Sequence, residues 1–203
     1  LFELLVTCSL FYGALQYGVC LANYPKEYEK TVTLSDDTRV LSRPELPTDT
    51  EMLWQMFSTL SEKSLRFLVN PFPRERVERW TSSINYEKAL PILAVVEEAG
   101  NQRIVAVASL EFHETSAERH KAEFGITVHD SYQNKGLGTA LTRHMLSIAR
   151  AKELRKVTLM VLTGNKRAIR MYEKCGFEIE AKLREESFIK GRYYDDYVMS
   201  VFL

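Results

Sequence analysis

Cysteine is scarce in this chain: Cys8, Cys20 and Cys175 are the only three among 203 residues. Three scattered thiols do not make the disulfide framework of a small secreted domain, and none stands at zinc-ligand spacing from a histidine, so no metal is expected. A reducing compartment is the simpler setting, and a cytoplasmic location is the expectation. An excess of one charge is also lacking. Lys plus Arg and Asp plus Glu number 27 each, for a formal net charge of zero, which gives no footprint for nucleic acid. Internal repeats and low-complexity tracts are absent. Two nucleotide signatures are missing as well. There is no G-x-x-x-x-G-K-[ST], and the glycine pair at 136 and 138 is not followed by a third, position 141 being Leu. A triphosphate P-loop fails, and the dinucleotide fingerprint is incomplete.

What is present begins with a long apolar run. Residues 1–22 carry one charge, Glu3, and lack the basic start of a secretory signal. As a helix they would span about 33 Å, enough to cross a bilayer. They read as a membrane anchor, as a segment lying on the domain, or as translated upstream sequence; membrane contact is expected only in the first case. Residues 23–37, opening NYPKEYEK, read as a linker. The rest, 38–203, is long enough to bury one core.

Within it, 38–46 reads as a short strand, and 48–60, 61–69 and 74–84 as three helical pieces, with Leu53, Met56, Phe57 and Leu60 on one face. Two β-branched runs, 92–98 and 103–112, joined by AGNQ, predict a hairpin. A third strand follows at 120–129. The clearest helix is 136–154, with Leu137, Leu141, Met145 and Ile148 facing a sheet. The strand at 156–162 reads as buried on both faces. A short helix at 165–177 ends at Gly176, and two strands flank Lys190–Arg192. The order predicts an α+β, three-layer α/β/α fold with a mixed, mostly antiparallel sheet.

QNKGLGT, residues 133–139, stands between a strand and a helix. A helix N-terminus offers unpaired N–H groups and about half a positive charge. Gly136 and Gly138 remove side chains that would block an approaching phosphate, Thr139 adds a hydroxyl and Lys135 a charge. The stretch is either a pyrophosphate cradle or a tight turn with close helix packing.

QNKGLGTAL resembles the Q/R-x-x-G-x-G/A signature of the GNAT superfamily of N-acetyltransferases. NKRAIRMYEKCGF (165–177) resembles that superfamily's N-x-x-A-x-x-x-Y-x-x-x-G-F segment. The resemblance covers about 38–203. It implies a central strand pair splayed around acetyl-CoA, whose pyrophosphate would lie on Gln133, Asn134, Lys135, Gly136, Leu137, Gly138 and Thr139. Val128 backbone groups would meet the pantetheine, and Asn165 the cofactor arm, unless Asn165 is simply a helix cap. RPELPTDTEMLWQMFSTLSEKSLRFL (43–68) resembles the opening of bacterial and archaeal protein lysine acetyltransferases, while the tail from 176 looks more like enzymes acting on small amines, polyamines or protein N-termini. A protein lysine is the first expectation for the acceptor. A non-catalytic acyl-CoA-binding module is the rival from another class. Oligomeric state, a homodimer included, is left open.

Acetyl transfer needs a neutral amine, and at pH 7 only about one lysine in 2,500 is neutral. A proton acceptor is therefore required. The resemblance implies Glu123, ten residues before Gln133, expected partly buried with a raised pKa; the alternative is a surface carboxylate. His129 competes for the role. Tyr172 is expected to protonate the departing thiolate, its alternative being core packing. Cys175 reads as a small core residue. Lys166, Arg167 and Arg170 read as a solvated basic face or as partners of the cofactor's 3′-phosphate.

Overall fold

The computed structural model describes residues 24–68 and 73–203. The expectations placed on residues 1–22, including Cys8 and Cys20, lie outside these. Among the described residues no helix is long and apolar enough to cross a membrane.

Eight strands form one sheet: β1 (Lys30–Thr33), β2 (Arg39–Pro44), β3 (Ala89–Glu98), β4 (Asn101–Phe112), β5 (Lys121–Val128), β6 (Lys156–Leu162), β7 (Glu178–Ile189) and β8 (Arg192–Phe202). Their order is β1-β2-β3-β4-β5-β6-β8-β7. The one parallel neighbour pair is β5 with β6; the other pairs are antiparallel. The predicted mixed, mostly antiparallel sheet is what forms.

The helices sit on both faces. On one face α4 (Leu137–Ala151) and α5 (Lys166–Lys174) cover the larger core. Leu137, Leu141, Met145 and Ile148 are buried there, as their spacing predicted. On the other face α1 (Thr50–Ser58), α2 (Glu62–Leu65) and α3 (Arg74–Ser82) follow one another. Leu53, Met56, Phe57 and Leu60 pack with Val77 onto Leu93, Val95 and Ile104.

Turn chemistry explains the hairpins. Ala99 and Gly100 both take positive φ between β3 and β4, as do Lys190 and Gly191 between β7 and β8, the geometry whose twist suits two-residue connections. Pro91 sits inside β3, opposite the end of β2. Its carbonyl accepts from Glu45 N–H, but it cannot donate back. The Glu45 carbonyl takes the Tyr86 hydroxyl instead, at 2.5 Å.

Two expectations need correction. Residues 30–33, read as part of a linker, form edge strand β1, paired with 39–42; the polar, unpatterned KTVT gave no burial signal because the strand is mostly exposed. Strand β6 is not buried on both faces. Val157, Leu159 and Val161 are buried, but Met160 on the opposite face is 54% exposed, because the sheet opens there.

Candidate functional site

The opening follows from strand register. β5 and β6 pair only at Lys121–Lys156, Ala122–Val157 and Glu123–Thr158. Beyond Glu123 the two strands part, although β5 runs on to Val128 and β6 to Leu162. The wedge between them is the floor of a cleft of about 920 Å³, lined by Gly125 to Val128 of β5 and Met160 to Leu162 of β6.

At the open end of the wedge stands the α4 N-terminus. Asn134 (φ 63°) and Gly136 (φ 88°) both adopt left-handed conformations, which swing the chain into the helix. The Gly136 cap receives no side-chain hydrogen bond. The amides of Gly136, Leu137, Gly138 and Thr139 reach no protein acceptor among the described residues. A methyl group built at Gly136 would meet nothing within 4 Å; at Gly138 it would meet Val128 Cγ2 at 3.8 Å and Met171 Cε at 3.9 Å. These are ordinary contacts, so protein packing does not require glycine at 138. Unpaired amides, a helix dipole and clear space together suit an anionic diphosphate.

The other predicted cofactor residues divide. Asn134 and Thr139 line the cleft. Leu137 is core, offering only its amide. Gln133 is a brace: its Nε2 donates to Val128 O (2.9 Å) and Ser64 Oγ (3.1 Å), and its Oε1 accepts from Arg167 (2.5 Å). Val128 lines the cleft with its carbonyl already accepting from Gln133. Lys135 is not brought to the cradle, because its ammonium pairs with Asp36 at 2.9 Å. Positive charge comes instead from Arg167, Arg170 and Lys174 on α5, all of which line the cleft. Asn165 lines it too and caps α5, its Oδ1 accepting from Ala168 N–H at 3.3 Å.

Tyr172 is 7% exposed, packed edge-on against Phe124 and tilted against Phe177, and lines the cleft. Burial raises its pKa, with the nearby Cys175 adding to the effect. Its hydroxyl stays protonated at neutral pH, and among the described residues nothing hydrogen-bonds to it. Cys175 is half-buried, and burial raises its pKa as well; it is held as thiol, not as a nucleophile.

Glu123 is not partly buried as expected. Its side chain is 63% exposed, 3.9 Å from His113. It stands at the last paired position before the wedge, on the face of β5 shared by Gly125 and Thr127. His129 is placed away from the cleft. Its Nε2 lies 3.2 Å from Thr59 Oγ1 and 3.3 Å from Arg103, and its Nδ1 lies 2.7 Å from Ser131 Oγ. Burial and the Arg103 charge lower its pKa. Both ring nitrogens are occupied in holding the β5–α4 loop.

Sequence reasoning missed the wall opposite the cradle. Asp130 accepts from Ser61 N–H (2.8 Å), Ser61 Oγ (2.7 Å) and Ser64 Oγ (2.7 Å), which ties α2 to the cradle loop. Burial alone would push Asp130 upward, but these three bonds outweigh it and hold its carboxyl down to about 2. Arg43 grips Asp49 through two bonds, 2.7 and 2.6 Å, while Asp49 also takes Leu46 N–H. Within the 43–68 stretch, Arg43 and Asp49 thus form a buried clamp between β2 and α1; removing one partner of such a pair costs about 3–5 kcal/mol. Ser187 and Asp196 are buried on β7 and β8 and line the cleft. Asp196 belongs to YYDDY (193–197), which by sequence reads either as an acidic patch for a cationic acceptor or as the polar side of a hairpin strand; Ser187 carried no signal. No cluster among the described residues has metal-ligand character.

Residues 53–177 match the family described as acetyltransferase (GNAT). The chain is 31% identical over 98 residues to the L-amino acid N-acetyltransferase AaaT of Escherichia coli (strain K12), covering 48% of this chain and 60% of that protein. It is 36% identical over 102 residues to a spermidine N(1)-acetyltransferase of Vibrio cholerae serotype O1, covering 50% and 57%. The matches thus span about half to three-fifths of these curated relatives. Among solved structures, the GNAT domain of S. lividans PAT superposes with a TM-score of 0.70 at 23% identity, covering 89% of this chain and 99% of that one. The Vibrio cholerae spermidine N-acetyltransferase in complex with CoA and spermine gives 0.67 at 24%, covering 80% and 95%. At these identities the likeness is one of fold.

Proposed function

The chain belongs to the acetyltransferase (GNAT) family, and we propose that it moves an acetyl group from acetyl-CoA to a primary amine by direct attack. The observation that carries this reading is the run of four unpaired amides, Gly136 to Thr139, at the mouth of the wedge between β5 and β6. Acetyl-CoA supplies the thioester. The amides and the α4 dipole hold its diphosphate, Arg167 and Arg170 add positive charge, and the parted β5 backbone near Val128 borders the pantetheine. Tyr172, protonated because it is buried, donates to the departing thiolate. Its gain is limited, since a thiolate is already a good leaving group, and positioning carries more of the rate.

Glu123 is the proton acceptor in this reading. It stands beside the wedge rather than in the cleft wall, so the amine proton reaches it through water. A protein lysine is the first acceptor, supported by the resemblance of residues 43–68; a polyamine or small amine is the second, supported by the names of the relatives above.

The experiment is thiol release from acetyl-CoA with a lysine peptide, spermidine and free amino acids. Release with at least one amine is expected. Acetyl-CoA binding with no release from any of them would favour the non-catalytic module. Glu123→Gln is expected to lower kcat/KM about 10-fold across pH 6 to 9; unchanged turnover over that range removes Glu123 from the mechanism.

A further inference from the structure

The cleft has one carboxylate with an unmet demand. Asp196 is 2% exposed and lines the cleft. Its Oδ2 accepts from Ser187 Oγ at 2.7 Å, while its Oδ1 is buried with no hydrogen-bond partner. A buried carboxylate oxygen left bare costs stability, and such groups are uncommon unless something else satisfies them. Its surroundings indicate what does. The charged residues lining the cleft are segregated: Arg167, Arg170 and Lys174 come from α5 and Arg76 from α3, whereas the only carboxylates, Glu186 and Asp196, lie on the β7–β8 hairpin. The register places Asp196 beside Leu162, the last residue of the strand that forms the wedge.

We propose that Asp196 is the residue that binds the acceptor: its Oδ1 takes a hydrogen bond from the alkylammonium group of a cationic amine, with Glu186 adding negative charge at the same wall. This rests on the reading of the cleft as an acetyltransferase site. Ser187 aims the carboxylate. A small turn about χ2, a torsion with a broad well, brings the sealed oxygen to the cleft surface. A charge-assisted bond formed there, away from bulk water, is among the stronger ones. An acceptor bearing its own carboxylate at that position meets repulsion, so an amine with only positive charges is favoured.

The test is Asp196→Asn, followed by steady-state kinetics in two arms, spermidine and a lysine peptide, and by calorimetry of spermidine binding to the full chain. The amine KM is expected to rise about 10-fold or more in the arm that uses the site, about 1.4 kcal/mol. The KM for acetyl-CoA should stay within about 2-fold. Thermal stability should not fall, because asparagine keeps the shape of the side chain and an oxygen for Ser187. Unchanged amine KM in both arms overturns the proposal, as does a parallel loss of acetyl-CoA affinity. If Asp196→Asn does not fold, Ser187→Ala decides: an amine KM raised about 3-fold supports the proposal, and no change overturns it. If the native protein releases no CoA, the catalytic reading fails by itself. Calorimetry then decides this one, with spermidine binding that Asp196→Asn weakens about 10-fold supporting it and binding absent or unaffected overturning it.

Discussion

Around the cleft, α4 and α5 present backbone amides, helix ends and an aromatic hydroxyl, whereas α2 and the β7–β8 hairpin present side chains: Ser64, Ser187, Glu186, Asp196. The first wall is built for a group that does not vary, and main-chain atoms with left-handed turns suffice for it. The second is built from side chains, which substitution can exchange. In the proposed reading the difference separates what holds the cofactor from what chooses the acceptor, and each wall can be damaged separately.

The largest effect is expected at Gly138. A methyl carbon there has protein room, lying 3.8 Å from Val128 and 3.9 Å from Met171. Alanine should therefore leave the melting temperature within roughly 4 °C, the shift that about 1 kcal/mol produces at this size, while adding a carbon beside the α4 amides. Acetyl-CoA affinity, read by calorimetry, should fall about 100-fold, or about 2.7 kcal/mol. A Gly138→Ala protein that binds acetyl-CoA normally would mean that the diphosphate lies elsewhere and that the two walls are not divided as described.

A smaller effect, confined to turnover, is expected at Tyr172. The phenol ring packs between Phe124 and Phe177, and Tyr172→Phe keeps that packing. Loss of the proton donor should lower kcat about 10- to 100-fold, which is about 1.4 to 2.7 kcal/mol, with acetyl-CoA affinity within about 2-fold. Weaker binding with unchanged kcat would make Tyr172 part of the cradle rather than of the chemistry.

The same division explains what could be seen in the sequence. The cradle was legible because it needs a particular backbone conformation: Gly136 takes φ 88°, which side chains rarely tolerate. Helix α4 was legible because its buried face repeats at helical spacing. Lys135 misled, since a lysine next to a glycine turn looks like a phosphate ligand until Asp36, a hundred residues earlier, is found bonded to it. Glu123 was read as lying on the strand that leads into the cradle, but its exposure depends on where β6 leaves β5, a register that no local pattern encodes. Ser187 was hidden for the same reason, while Asp196 lies in YYDDY, which left an acidic patch for a cationic acceptor and the polar side of a hairpin strand both open. The two residues meet across a hairpin whose register shifts between Leu183 and Ser187, and a Ser and an Asp on alternating strands otherwise read as solvent-facing.

The smallest effect tests the seam between the walls. Asp130 belongs to the cradle loop, yet its three partners are on Ser61 and Ser64 of the acceptor side. Asp130→Asn should loosen that tie without touching the α4 amides. The amine KM is expected to rise about 3-fold, with acetyl-CoA affinity unchanged. Linkage supplies a second readout. A carboxyl held down to about 2 in the fold, against about 3.9 when unfolded, stabilises the protein above about pH 4, and the stabilisation is lost as pH falls toward 2. The native protein should therefore melt above the variant at pH 7, and the gap should close steadily between pH 4 and 2. A gap that stays constant through that range would mean that Asp130 acts by shape alone. An amine KM that did not move would mean that the two walls hold their positions independently.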